Sequence, residues 1–265
     1  MFSIKKIKTL VAVAFLAYLP SQASAWGMIG HRVVGQVAES YLSSKAKKNV
    51  KRILGAESLG MAANWPDFIK SDTSYKYMDS WHYVNLPEGL DKEGVYKYLA
   101  AEKAPNVYSQ VNAMVALLKN KNTPADQQRM ALRVLIHLVG DLHQPMHTAR
   151  KEDLGGNRVN VTWFGARSNL HRVWDEQIVD YQQLSYTEFA DVVNHPSKEE
   201  LKAWRGATLQ DYIVESYNIC NNIYSTIQPD AKLGYRYNFD YIATVHQQLA
   251  KAGVRLAKII NEIYG

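Results

Sequence analysis

An apolar stretch that contains two polar residues constrains this chain more than any other feature. Most positions from 130 to 142 are apolar, as expected for a helix that is buried on nearly every face. His137 and Asp141 lie within it, and their spacing of four residues places both side chains on one helix face. A buried carboxylate needs a cation or several hydrogen-bond donors. Two interpretations follow: a buried His–Asp pair, or two ligands of one metal ion.

The apolar pattern elsewhere predicts an all-α fold, a mainly helical single domain with a small β-hairpin. Helical spacing predicts further helices over residues 33–41, 107–118, 171–179 and 242–263. Only residues 158–163 alternate like a strand, and they follow the turn sequence Gly155-Gly156-Asn157. Pro145 is expected to end the central helix. No shift in composition divides residues 26–265, so we expect one domain.

Residues 1–25 have the pattern of a secretory signal peptide. A lysine-rich start precedes an apolar run over residues 10–19, and Ala23-Ser24-Ala25 fits a cleavage site. We expect cleavage after Ala25 and a secreted or periplasmic chain that begins at Trp26. No later apolar run reaches 18 residues, so we expect no membrane anchor.

Composition excludes several other classes of protein. With 47% hydrophobic and 21% charged residues among 265, the chain can bury a full core and is not a disordered or collagenous protein. A formal net charge of +6 fits an anionic partner. Cys220 is the one cysteine, so no intrachain disulfide is possible, and its apolar neighbours predict a buried, inert thiol.

More His and Asp residues occur in patterns that suit metal binding. His171 and Asp175 repeat the four-residue spacing of the central pair, and His31, Asp67, His82 and His147 complete the set. Neutral imidazole and carboxylate suit Zn²⁺, and no cysteine cluster competes with them. Several such pairs indicate a site with more than one metal.

The start of the cleaved chain offers a further ligand. Cleavage after Ala25 would give Trp26 a free α-amino group beside its own carbonyl, a pair that can chelate a metal ion. His31 is close enough in sequence to share that metal. The alternative interpretation is that Trp26 is an ordinary hydrophobic anchor.

These residues occur within longer motifs that resemble a known family. The chain is similar to the trinuclear-zinc single-strand nucleases of the S-one/P-one type, which includes mung bean nuclease, and more distantly to zinc-dependent phospholipase C. The matching motifs, in chain order, are Trp26-Gly27 with His31, Asn64-Trp65-Pro66-Asp67, Trp81-His82-Tyr83, His137 with Asp141-Leu142-His143-Gln144-Pro145-Met146-His147, Gly155-Gly156-Asn157, Asn169-Leu170-His171 and Trp174-Asp175.

The resemblance implies three Zn²⁺ ions per chain and assigns a ligand set to each. Asp141 would be shared by the first and third ions. The implied sets are Asp67, His82, His137 and Asp141 for the first ion, His147, His171 and Asp175 for the second, and the Trp26 amino nitrogen and carbonyl oxygen with His31 for the third.

The implied activity is hydrolysis of phosphodiester bonds in single-stranded DNA and RNA to 5′-phosphorylated products, together with 3′-nucleotidase activity. In this family a zinc-held hydroxide attacks phosphorus in line, and a zinc ion stabilises the departing 3′ oxygen. The catalytic residues would then be Asp67, Lys70 and Asp141. Lys70 stands where relatives often carry Arg, and its plainer interpretation is a surface lysine. We expect a monomer.

The resemblance also implies a pocket for a nucleobase, made by Tyr83, Asn85 and Asn157. A ring that stacks on a base accepts any base. Asn85 stands where fungal members carry Asp, and an amide offers both donors and an acceptor. The plainer interpretation of the three residues is a core tyrosine and two turn asparagines.

Two other functions use similar ligands. A zinc-dependent phospholipase C has Glu as the last ligand of its isolated zinc, whereas this chain has Asp175. A non-catalytic zinc-binding protein would need exchangeable metal and no base pocket. Cleavage of phosphatidylcholine, or zinc binding without turnover, would favour these alternatives.

Overall fold

Helices dominate the structure, so the predicted mainly helical fold is confirmed. A computed structural model describes residues 26–228 and 230–265, and the predicted signal peptide, residues 1–25, lies outside the described residues. The α-helices are α1 Met28–Tyr41, α2 Ser44–Leu54, α3 Leu59–Ala62, α4 Trp65–Phe68, α5 Lys92–Ala101, α6 Val107–Lys119, α7 Ala125–Asp141, α8 Leu170–Arg172, α9 Ile178–Tyr181, α10 Tyr186–Val193, α11 Lys198–Gly206, α12 Leu209–Thr226 and α13 Tyr235–Tyr264. Three 3-10 segments cover Ile69–Ser71, Thr73–His82 and Pro145–Thr148, and a π-helical turn covers Val173–Gln177.

The central helix α7 is buried as its sequence predicts. Every residue from 134 to 141 is buried, and α7 contacts α1, α4, α6 and α13. The helix ends at Asp141, earlier than the expectation that placed its end at Pro145. Pro145 instead opens the next 3-10 segment, where its missing N–H group leaves no hydrogen bond unmade.

The small sheet contains the predicted hairpin and one strand that the sequence did not predict. Strand β1, Asn160–Trp163, pairs antiparallel with β2, Ala166–Asn169. The two residues between them, Phe164 and Gly165, both have positive φ angles, as a tight hairpin turn requires. A third strand, β3 Ala231–Leu233, adds to β1 in parallel.

The long C-terminal helix α13 holds α1 in place. Gly253 lies so close to α1 that an added Cβ would be 2.5 Å from the Cβ of Val37. This tight contact fixes α1, and therefore the N-terminal segment before it, against the core. Within residues 26–228 and 230–265, no helix combines the length and apolar character that crossing a membrane requires.

The cysteine prediction is confirmed on helix α12. Cys220 is buried in the hydrophobic core. Burial raises the pKa of its thiol, which keeps the thiol protonated and unreactive at neutral pH.

Candidate metal centre

Two histidines and a carboxylate meet at the end of α7. His82, the last residue of its 3-10 segment, places Nδ1 at 3.0 Å from Oδ2 of Asp141. His137, one turn earlier on α7, places Nε2 at 3.3 Å from the same oxygen. The three side chains are buried, and their ligand atoms lie close enough together to hold one metal ion.

A second group shares His137 with the first. The ring of His31 stacks on that of His137, with centroids 3.8 Å apart. Oδ1 of Asp67 lies 3.9 Å from Nε2 of His137, so His31, Asp67 and His137 form another set that could hold a metal. His31 Nε2 is also 3.5 Å from Oδ1 of Asp141, so the two oxygens of Asp141 face different histidines.

Two members of the third group lie just after β2, where helix α8 is followed by the π-helical turn. His171 is on α8 and Asp175 is in the π-helical turn, and His171 Nε2 lies 3.0 Å from Oδ2 of Asp175. Nε2 of His147 lies 3.5 Å from Oδ1 of Asp175. The predicted helix over residues 171–179 therefore contains a π-helical turn, a feature often found at functional sites.

Backbone carbonyls orient three of the histidines. Nδ1–H of His137 donates to the carbonyl oxygen of Ala63 over 2.7 Å. In the same way, His147 donates to the carbonyl oxygen of His82 over 2.7 Å, and His171 donates to that of Gly155 over 2.6 Å. Because each Nδ1 is engaged by a carbonyl, Nε2 is the ring nitrogen that faces the group described above and is available to a metal.

The ionisation of the cluster fits a bound cation. Burial, and then the charge of the neighbouring His137 ring, lowers the pKa of both His31 and His82. Burial lowers the pKa of His137 to about 4. Burial, reinforced by Asp67, raises the pKa of the Asp141 carboxyl. The imidazoles of His31, His82 and His137 are therefore neutral at neutral pH, and none of the three gives the Asp141 carboxylate a positive charge that would stabilise it.

The carboxylates at the two sides of the cluster behave differently from Asp141. Burial opposes the ionisation of Asp67, but His137 and Lys70 hold the pKa of that carboxyl below its usual value. Burial opposes ionisation at Asp175 as well, and His171 nevertheless lowers its pKa. Both side carboxylates are ionised at neutral pH and available to a metal.

Unsatisfied buried atoms provide the test of whether a metal fits. Among the described residues, both ring nitrogens of His31 and Oδ1 of Asp141 are buried without a hydrogen-bond partner. Such atoms are costly unless something binds them. Nitrogen and carboxylate donors at this spacing suit Zn²⁺, so the residues fit the metal that the sequence predicts.

Trp26 lies beside this cluster. Its side chain is fully buried, and a Cβ added at Gly140 would be 2.8 Å from Nδ1 of His31 and 3.9 Å from Cδ1 of Trp26. The N–H of Gly27 donates to the carbonyl oxygen of Asp175 over 2.6 Å. The start of the described chain therefore lies beside the group that contains His31 and is hydrogen-bonded to the backbone of Asp175 in the third group.

Lys70 marks the most exposed side of the centre. Its Nζ donates to Oδ1 of Asp67 over 2.6 Å, and the two side chains are 20% and 15% exposed. His31, His137 and Asp141 are inaccessible to solvent. The cluster is therefore most accessible to solvent at Asp67 and Lys70.

Tyr83 and Asn85 lie on one face of an extended segment. The alternate residues Val84 and Leu86 are buried, and the N–H of Val84 donates to the carbonyl oxygen of His147 over 2.9 Å. Tyr83 and Asn85 are half-buried. Oδ1 of Asn85 borders the Gly155 loop, since it would lie 3.4 Å from a Cβ placed at Gly155.

Asn157 is directed into its own turn. Its side-chain amide donates to the carbonyl oxygen of Leu154 over 2.9 Å. The structure thus brings Tyr83 and Asn85 to one face, whereas Asn157 uses its amide to hold the neighbouring loop.

Gln144 is a site residue that the sequence analysis missed. It is fully buried, its amide nitrogen donates to Oδ1 of Asp175, and its amide oxygen accepts from the N–H of Met146 over 2.6 Å. Its place between Asp141 and His147 was the available signal. The nearby His143 turns away from the cluster, and its Nε2 faces a guanidinium nitrogen of Arg255 at 3.0 Å.

Fold and site together define a helical protein with three His/Asp groups suited to zinc, in which every ligand side chain except that of Asp67 is buried. The family model described as S1/P1 Nuclease matches residues 26–265. Endonuclease 5 of Arabidopsis thaliana is 29% identical over 96% of both chains, and Nuclease P1 of Penicillium citrinum is 25% identical over 91% of this chain and 98% of its own. A solved structure, "Alpha Toxin from Clostridium Absonum", is 14% identical with a TM-score of 0.46, covering 92% of this chain and 66% of that one.

The chain belongs to the S1/P1 nuclease family. The predicted class, a nucleic-acid-hydrolysing enzyme, is thereby confirmed.

Proposed function

We propose that this protein is an exported endonuclease that uses three zinc ions to hydrolyse single-stranded DNA and RNA. Its products would carry 5′-phosphates, and it would also remove the 3′-phosphate of nucleotides. The observation that carries the proposal is the buried cluster, in which neighbouring metal-binding groups share His137 and the two oxygens of Asp141 face different histidines.

The nine ligands of the sequence prediction remain the proposed ligands. Asp67, His82, His137 and Asp141 would hold one zinc, His147, His171 and Asp175 a second, and Trp26 with His31 and Asp141 a third. The third set requires cleavage after Ala25, because the amide nitrogen of an uncleaved Trp26 cannot serve as an amine ligand. When bound, zinc supplies Lewis acidity and positive charge for phosphate hydrolysis.

The protein's own side chains would orient the substrate. Lys70 carries a positive charge at the exposed side of the cluster, where its Nζ can bind a phosphate oxygen. The carboxylate of Asp67 would hold the Lys70 side chain in position. Tyr83 would stack on a base and Asn85 would bond to the edge of that base. Asn157 would keep the Gly155 loop in the shape that supports His171 and borders Asn85.

The burial of the cluster favours single strands. His31, His137 and Asp141 are inaccessible to solvent, so a phosphate must enter a recess to approach them. An unpaired nucleotide can enter with its base unstacked, whereas a duplex must first lose pairing and stacking energy. None of the described residues is assigned to a 2′-hydroxyl, so both RNA and single-stranded DNA are proposed as substrates.

A panel of substrates tests this function. Protein with a verified Trp26 terminus is incubated with single-stranded DNA, duplex DNA, RNA, a 3′-nucleotide and phosphatidylcholine, and a chelated sample is the control. We expect 5′-phosphorylated fragments from both single strands, inorganic phosphate from the 3′-nucleotide, and slower cleavage of the duplex. Cleavage of phosphatidylcholine alone would favour a phospholipase, and bound zinc without turnover would favour a zinc-binding protein.

A further inference from the structure

Four aromatic side chains form a continuous row beside the metal centre. Trp65 meets Tyr75 edge to face with ring centroids 5.5 Å apart, and Tyr75 lies nearly parallel to Tyr77 at 6.3 Å. Tyr77 meets Trp81 at 5.3 Å. We call these four residues the aromatic row.

One side of the aromatic row packs against the hydrophobic core, and the other side is accessible to solvent. Trp65, Tyr75 and Trp81 pack against the hydrophobic core but are only partly buried, and Tyr77 is 54% exposed. Rings held in this way lose little conformational freedom when a partner covers them. The row is therefore a preformed surface for flat apolar groups.

The position of the row connects it with the site. Trp65 lies two residues before Asp67, and Trp81 directly precedes His82. The centre is most exposed at Asp67 and Lys70, which lie on the same continuous segment as the row. A polymer that reaches the cluster from this side passes along the segment that carries the row.

We propose that the aromatic row stacks on unpaired bases of the substrate strand on one side of the bond that is cleaved. This inference rests on the proposed nuclease function and extends it from the base at Tyr83 to bases farther along the strand. Every base has an apolar face, so such stacking tolerates any sequence, and a duplex hides those faces inside its own stack. The exposed Lys76, between Tyr75 and Tyr77, supplies a positive charge for the backbone phosphates.

The test compares a long substrate with a short one. The KM for a single-stranded thymidine oligonucleotide of about 12 nucleotides is measured beside the KM for a thymidine dinucleotide, which has only one base besides the one that Tyr83 would hold. We expect Tyr77→Leu and Trp81→Leu each to raise the ratio of the oligonucleotide KM to the dinucleotide KM by about fivefold or more, because one stacked base is lost. Tyr77→Phe, which keeps the ring, restores the wild-type ratio.

Phe239→Leu is the matched control. Phe239 is 72% exposed on α13, outside the aromatic row, so its loss should leave the ratio unchanged. Zinc content is measured on every variant to show that the centre is intact. An unchanged ratio in Tyr77→Leu and Trp81→Leu, or an equal rise in Phe239→Leu, would overturn the aromatic row as a base-binding surface. If the wild-type protein cleaves neither substrate, the proposed function itself fails, and the row proposal fails with it.

Discussion

Replacing Asp141 by Asn should lower the stability of the zinc-loaded protein but not that of the metal-free protein. The side chain is fully buried, with Oδ2 at 3.0 Å from Nδ1 of His82 and Oδ1 at 3.5 Å from Nε2 of His31. Asn has almost the same shape, so packing is retained while the negative charge is lost. Without metal, that buried charge is a cost, and burial raises the pKa of the Asp141 carboxyl for the same reason.

The size of the effect follows from the number of metals that share this residue. Asp141 is a proposed ligand of two zinc ions, and a ligand present at 1,000 times its Kd stabilises the folded state by about 4 kcal/mol. Loss of both ions would therefore remove about 8 kcal/mol. For a chain of this size each kcal/mol corresponds to about 2–4 °C in the melting temperature, which predicts a fall of about 15–30 °C.

Zinc analysis and calorimetry, each with and without chelator, measure the stability of the zinc-loaded protein and that of the metal-free protein. We expect one zinc per chain in Asp141→Asn, held by the His147 group. In chelator the variant should melt at the wild-type temperature or above it. Asp126→Asn, an exposed change in the first turn of the same helix, is the control and should keep three zincs. Three zincs and a wild-type melting temperature in Asp141→Asn would refute the reasoning.

Three further changes test separate parts of the centre. Gly140→Ala places a Cβ 2.8 Å from Nδ1 of His31, so zinc analysis should show one ion fewer per chain with the fold retained by circular dichroism; a full complement would count against His31 as a ligand. Gln144→Leu removes the donor to Asp175 and should weaken one zinc by about 10–100-fold in competition with a chelator, whereas unchanged affinity would show that the hydrogen bond does not orient the carboxylate. One residue retained ahead of Trp26 should abolish one zinc site and most nuclease activity, and full activity in a variant of verified mass would exclude the amine ligand.

The helices were the most predictable part of the fold because their signal is local. The apolar residues of α7 indicate burial on nearly every face, and α7 is buried as predicted, although it runs from Ala125 to Asp141. Its first turn is polar and exposed, so periodicity alone could not show where it begins. A hairpin was also predicted, but only its first strand was located, over residues 158–163. The tight turn at Phe164 and Gly165 that joins this strand to β2 was not recognised in the sequence.

Strand β3 could not be predicted, because its pairing is distant. Ala231, Lys232 and Leu233 form a strand only by pairing in parallel with β1, about seventy residues earlier in the chain. Three residues are too few to show alternation. The π-helical turn at Val173–Gln177 was missed for a different reason: its apolar spacing is compatible with an ordinary helix.

The site residues were predictable as residue types but not as a geometry. The His-x-x-x-Asp spacing and the motif resemblance identify the candidate ligands, and the structure brings eight of those side chains into three groups. The hydrogen bonds from His137 and His171 to backbone carbonyls leave no mark in a sequence, because every residue has a carbonyl. For the same reason, the contact between Gln144 and Asp175 became visible only in the folded chain.

Zinc titration of the chelated protein, with cleavage of single-stranded DNA followed on the same samples, tests the central claim most directly. The protein must begin at Trp26, and its mass must be verified first. We predict that activity is absent without metal and returns fully as the bound zinc reaches three per chain, with 5′-phosphates on the products. Cleavage by the metal-free protein, or three bound zincs without cleavage, would contradict a zinc-dependent single-strand nuclease.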